Sequence, residues 1–205
     1  MAAEQAFFDL GYNARMDDVA KEAGCSKTTL YSYFESKENL YMAITYRAFQ
    51  AMIDHYYSYL KNSSGNNGLA KTLNFFNSFI AFSEKHYEHQ QIILEYITFI
   101  RSISGKDQEN KISEPLRKSI WFQKVKDIHN MPLTIVKPII KEGQADGSIT
   151  NTSKPEELFL TIFALLIGYT KLSNSADSER ETMFNVDLET WKNSITKLMT
   201  NILVV

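Results

Sequence analysis

The sequence predicts an all-α protein on three observations. Of 205 residues, only 8 are glycine and 4 are proline, too few for many short strands and turns. Apolar residues recur at helical spacing over long blocks, and none alternates with the period of two that a half-buried strand requires. Polar breaks at 62–68, 104–114, 146–155 and 173–187 cut the chain into helix-length pieces.

Taken in order, residues 16–23 form a short helix with Asp17 and Asp18 in its first turn, where the helix dipole favours acids. Gly24 ends it, as suits a residue taking positive φ at a sharp turn. Ser26 is a good N-cap for a second short helix over residues 27–33, and a long helix follows over 37–60. Leu73, Phe76, Ile80 and, one position off, Ser83 make a stripe in the next block. Residues 92–103 and 134–140 are β-branched enough to suit strands, but without alternation they read as helices. Residues 158–169 (LFLTIFALLIGY) are apolar nearly all round, so that helix must be covered on more than one side. The last block places Leu188, Trp191, Ile195, Leu198, Met199 and Ile202 on one stripe, with Glu189, Lys192 and Lys197 elsewhere. The plain reading of 158–169 is a core helix. The preferred one pairs it with the last helix as half of a four-helix interface between two copies of the chain. Leu158, Ile162, Leu165, Leu166, Tyr169, Trp191, Ile195, Leu198 and Ile202 are the expected contacts.

Composition narrows the function classes. Apolar residues at 44% and charged residues at 22% exclude a disordered or fibrous chain. The 22 Lys and Arg against 24 Asp and Glu leave −2, which argues against a broad polycationic surface but not a small basic footprint. One cysteine, Cys25, permits no intrachain disulfide and points to a reducing cytoplasm. The first ten residues lack the basic start of a signal peptide, and the apolar run at 158–169 is short of the ~20 residues of a membrane span. A soluble cytoplasmic protein without membrane contact is expected.

The informative stretch is 11–41. Val19, Ala20, Ala23, Cys25, Leu30 and Tyr33 are small or apolar where two crossing helices touch. Ala20 lets the helices approach and Leu30 fills the angle, which makes a helix-turn-helix. Its second helix exposes Lys27, Thr28, Thr29, Tyr31 and Ser32, groups able to meet phosphates and base edges. Thr28 and Thr29 suit base edges, through hydroxyls or against a thymine methyl. Ser36 can cap the next helix, so Lys37 and the amides beside it offer a positive helix terminus to an anion.

Ala2-Ala3, Phe7-Phe8, Gly11-Tyr12, Met16-Asp17-Asp18-Val19-Ala20, Ala23-Gly24, Ser26-Lys27, Thr29-Leu30-Tyr31, Tyr33-Phe34 and Ser36-Lys37-Glu38 together resemble the N-terminal signature of the TetR family of bacterial transcription regulators. The resemblance implies a homodimer whose helix-turn-helix domains, residues 1–45, bind a roughly palindromic double-stranded operator. It also implies a second domain, residues 46–205, holding a small-molecule effector and the dimer interface. Lys27, Thr28, Thr29, Tyr31, Ser32 and Tyr33 would lie on the recognition helix, with Tyr31 and Lys37 at phosphates. The implied function is a repressor released from its operator by effector, with the helix over 37–60 as relay.

Two features depart from the family pattern. The chain begins almost at the alanine pair, where relatives carry a further, often basic run, and the loop at 11–15 is one residue short. Residues 1–45 also hold Arg15, Lys21, Lys27 and Lys37 against Glu4, Asp9, Asp17, Asp18, Glu22, Glu35 and Glu38. The acids are expected mostly off the DNA face, with affinity modest and salt-limited unless residues precede Met1. The alternative is a ligand-binding or protein-interaction module with a vestigial helix-turn-helix.

Residues 70–170 are rich in aromatics. Phe79, Phe82, Tyr96, Phe99, Trp121, Phe122 and Phe163 are candidates to line a largely apolar effector cavity, with Glu95, Thr98, Gln123 or His129 as polar groups. Core packing competes for each of them. His86 and His89 stand three apart, but without a nearby cysteine they read as a helix end rather than a metal site, and no cofactor is expected. Cys25 reads as a small buried hydrophobe. Neither a glycine-rich phosphate loop nor a serine nucleophile elbow occurs, so no catalytic residue is assigned and an enzyme is the least supported class.

Overall fold

The computed structural model describes residues 2–10, 14–62, 66–103, 113–173, 182 and 184–204. Among these the elements are helices, without a β-sheet: α1 (Ala2–Leu10), α2 (Met16–Glu22), α3 (Lys27–Tyr33), α4 (Lys37–Asn62), α5 (Gly68–Lys85), α6 (Tyr87–Ile103), α7 (Glu114–Lys118), α8 (Ile120–Ile128), α9 (Met131–Ala145), α10 (Pro155–Ser173) and α11 (Leu188–Leu203). The all-α expectation holds. The β-branched blocks lie inside α6 and α9, where the period of the apolar residues outweighs the β-branching of single ones. Parts of the expected breaks, 63–65, 104–112 and 174–181, and of the loop at 11–15, lie outside the described residues.

Contacts divide the chain into two units. One comprises Met1–Ala51 and Glu88–His129, the other Met52–Tyr87 and Asn130–Val205.

In the second unit, α5 meets α9 at a pair of glycines. A Cβ on Gly68 would stand 2.1 Å from the backbone nitrogen of Gly143, and one on Gly143 2.5 Å from the Ile149 side chain. No other residue permits that approach. The turn after α9 then serves the start of α5, whose first amides have no partner within their own helix. Gly68 N–H donates to Asp146 Oδ2 at 2.8 Å and Leu69 N–H to Ser148 Oγ at 2.9 Å, while Ala70 N–H donates to Asn67 Oδ1 at 2.9 Å. Hydrogen bonds from Ser148 and from the Gly68 amide hold the Asp146 carboxyl below its ordinary range.

α10 buries Leu158, Ile162, Leu166 and Tyr169, and the Tyr169 ring meets Trp191 of α11 edge-on at 4.8 Å. On α11, Ile195, Met199 and Leu203 are buried. Of the expected interface residues, Leu158, Ile162, Leu166, Tyr169 and Ile195 are buried within this chain, and Leu165, Trp191 and Ile202 are half-buried. Leu198 of α11, also among the expected contacts, is exposed, as are Leu160 (62%), Ala164, Gly168 and Leu172, four residues apart along α10. A helix apolar all round has two apolar faces, and spacing alone does not say which one its own chain covers.

Gly68→Ala must push α5 from α9. It is expected to lower stability by about 1–3 kcal/mol, read as a lower urea midpoint at unchanged slope.

Candidate nucleic-acid interface

The interface is built from α2, α3 and the start of α4. Arg15 begins α2, with its N–H donating to Asp18 Oδ2 at 3.1 Å. After Ala23 the chain turns at Gly24, φ +64°, and the Cys25 amide returns to the Ala20 carbonyl at 3.0 Å. A left-handed corner of this kind suits glycine, which has no Cβ to clash with the carbonyl beside it. The reversal brings α2 against α3, where Val19, Ala20 and Leu30 are buried as expected. Two neighbours behave differently. Tyr33 is 76% exposed, so it belongs to the outer surface rather than the helix crossing, and Cys25 is half-buried.

α3 starts at a working N-cap. Ser26 Oγ accepts the Thr29 N–H at 3.0 Å and shares a hydrogen bond of 2.8 Å with Thr29 Oγ1. Ser32 Oγ donates back to the Thr29 carbonyl at 2.6 Å. Thr29 and Ser32 therefore engage their hydroxyls within the helix, while Thr28, Tyr31 (43% exposed) and Tyr33 face outward. Ser36 caps α4 by accepting the Asn39 N–H at 3.1 Å, which places half-buried Lys37 on that helix's first turn. One acid departs from expectation. The Asp17 carboxylate holds Lys27 Nζ through both oxygens, at 2.9 and 3.0 Å, so this acid lies on the face offered by α3.

Within the same unit, hydrogen bonds tie the start of α4 to later elements. Tyr41 donates its hydroxyl to Glu95 Oε2 at 2.6 Å, and its ring packs against Phe7 at 5.6 Å. Ser119, the N-cap of α8, donates to Asn39 Oδ1 at 3.2 Å. These bonds join residues 54 and 80 positions apart, and no local sequence signal announces them.

The expected effector aromatics fall into both units. In the first, Tyr96 meets Phe49 at 5.6 Å and His129 at 6.1 Å, Phe99 meets Phe122 at 6.4 Å, and Trp121 lies under Lys124 Nζ at 4.5 Å. Phe79, Phe82 and Phe163 belong to the second, with Phe79 and Phe163 at 5.2 Å and Phe82 against His55 at 5.7 Å. Among the proposed polar groups, Glu95 takes the Tyr41 hydroxyl, Thr98 donates to the Leu94 carbonyl and Gln123 to the Arg117 carbonyl. Tyr96 Oη and His129 Nδ1 are buried without a hydrogen-bond partner, and burial pushes the Tyr96 hydroxyl well above its ordinary range. His86 and His89 pack on Phe82 and Phe8, and no cluster of three or more potential metal ligands occurs among the described residues.

Residues 1–44 match the family described as bacterial regulatory proteins of the TetR family. This segment holds α1–α3 and the start of α4. The transcriptional activator FasR of Mycolicibacterium smegmatis is 32% identical over 101 residues, which make up 48% of this chain and 45% of FasR. The match thus spans less than half of that relative. Likeness of fold reaches further. FadR from Bacillus subtilis, solved in complex with stearoyl-CoA, superposes with a TM-score of 0.65 at 19% identity over 97% of this chain and 94% of FadR. AibR, solved with isovaleryl coenzyme A and operator DNA, gives 0.67 at 13% identity over 98% and 94%.

Inside the TetR segment, Ser26 is the residue whose loss is most direct. Ser26→Ala removes the acceptor of the Thr29 amide and the partner of its hydroxyl. It is expected to cost about 1 kcal/mol, measured by chemical denaturation followed by circular dichroism.

Proposed function

We propose that this chain is an effector-responsive transcriptional regulator that binds a roughly palindromic operator as a homodimer. The observation that carries this is the outward face of α3, positioned by the Gly24 corner and the Ser26 cap within the segment that matches the TetR family. Two copies put their α3 helices in successive major grooves, about 34–36 Å apart. Tyr31 and Lys37 take backbone phosphates, while Thr28 and Thr29 meet base edges. Thr28 is the freer reader, since the Thr29 hydroxyl is engaged by Ser26.

Pairing of two copies is supported by the exposed row Leu160, Ala164, Gly168 and Leu172 of α10, with Leu198 of α11. An effector with an apolar body and one polar group is supported by the aromatic side chains around Tyr96 and by the unpartnered Tyr96 Oη and His129 Nδ1. The acyl-CoA ligands of FadR and AibR make acyl thioesters the class to test first. The Tyr41–Glu95 and Asn39–Ser119 bonds give effector among α6 and α8 a mechanical hold on the start of α4. The effector must bind two arrangements with different affinity, and operator then weakens effector binding by the same factor. Operator release by effector makes the protein a repressor. A promoter reporter separates this from activation, the role named for FasR.

Selection of bound sequences from a random DNA library, with and without acyl thioesters, tests the reading. A wild-type protein that selects nothing at low salt overturns it. Tyr31→Ala and Lys37→Ala are expected to weaken binding about equally at all sequences, whereas Thr28→Ala changes which sequences are preferred. Leu160→Glu is expected to turn the dimer into a monomer in sedimentation equilibrium.

A further inference from the structure

α3 carries a single basic residue, Lys27, at its first helical position. A cation there adds one phosphate contact to a DNA complex, and each such contact adds to the salt dependence of binding. Here that cation already has an anionic partner. Asp17, ten residues earlier on α2, meets Lys27 Nζ with both carboxylate oxygens at 2.9 and 3.0 Å. The pair is not buried: the Lys27 and Asp17 side chains keep 54% and 59% of their exposure. In water such a pair exchanges partners readily, so a phosphate can compete for the lysine. It must do so beside a carboxylate of its own sign. The hydrogen bond and charge of Asp17 also raise the Lys27 ammonium above its ordinary range, as expected of a cation with a standing partner.

We propose that Asp17 acts as an internal phosphate mimic that occupies Lys27 and so limits this chain's affinity for the DNA backbone. The inference rests on the reading of α3 as a recognition helix. Its ligand chemistry is the backbone phosphodiester, and its effect is independent of base sequence. Engagement of DNA requires Lys27 Nζ to leave the Asp17 carboxylate, and the freed carboxylate then repels the phosphates nearby. The thin basic footprint of residues 1–45 is therefore thinner in use than in count, since Asp17 holds Lys27 and Asp18 meets Arg15 Nε at 3.5 Å.

The test compares wild type, Asp17→Asn, Asp17→Ser, Lys27→Ala and the double variant Asp17→Asn/Lys27→Ala, on the selected operator and on unrelated duplex, across a salt series. Asp17→Asn and Asp17→Ser are expected to lower Kd about threefold to tenfold on both duplexes, to steepen the slope of log affinity against log salt by ~0.9, and to keep the same selected sequence. In the Lys27→Ala background the slope change disappears. Circular dichroism melts confirm that each variant is folded, and two uncharged replacements at 17 keep one unstable variant from deciding the outcome. Wild-type affinity and slope in the folded Asp17 variants overturn the clasp alone, as does an equal slope change without Lys27. Failure of every folded protein to bind either duplex at low salt overturns the recognition-helix reading and the clasp with it.

Discussion

The left-handed corner at Gly24 is the constraint on which the whole outward surface of α3 depends. At φ +64° it lets the chain reverse within three residues, with the Cys25 amide returned to the Ala20 carbonyl. An ordinary L-residue there would carry roughly 1–2 kcal/mol of backbone strain. From this one corner follow the burial of Leu30 against Val19 and Ala20, the outward direction of Tyr31, and the closure of Asp17 onto Lys27. The Ser26 cap fixes the start of α3 immediately after the corner. Orientation of the site is thus a backbone property, and its side chains inherit it.

The same surface carries opposing electrostatic demands. Acids at the start of α2 favour that helix through its dipole, yet Asp17 there stands beside Lys27, the one cation of α3. Behind the surface, the Tyr41 hydroxyl donating to Glu95 and the Ser119 hydroxyl donating to Asn39 bind the start of α4 to α6 and α8. Bonds of this type are each worth about 0.5–1.5 kcal/mol net. That is enough to favour one arrangement and small enough for a ligand's differential binding to overcome, as the proposed relay needs.

Much of the helix-turn-helix was legible because its signals are local. Ser26, Gly24 and the apolar pair Val19 and Leu30 lie within a dozen residues, and α3 begins and ends where the cap and the spacing predict. Tyr33 fits two places by sequence, since a tyrosine suits either a helix crossing or an exposed face, and only its direction around α3 puts it outside. Asp17 is not legible as a partner of Lys27 because nine intervening residues separate the two until Gly24 folds the chain back. The aromatics expected around an effector are legible as a composition, not as a grouping, and they divide between two units built from non-contiguous segments.

The sequence by itself determined the helices, their caps and the likeness of the first 44 residues to the TetR family, because period, N-caps and a positive-φ glycine act over a few residues. Only the tertiary structure decided which side of α10 is core, turning Leu158, Ile162, Leu166 and Tyr169 inward and Leu160 and Leu172 outward. It alone joined Tyr41 to Glu95, Gly68 to Gly143, and Asp17 to Lys27. The reason is that burial and pairing depend on what another segment brings to a given face. Where both faces of a helix are apolar, or both charges are exposed, the local pattern is the same for either outcome.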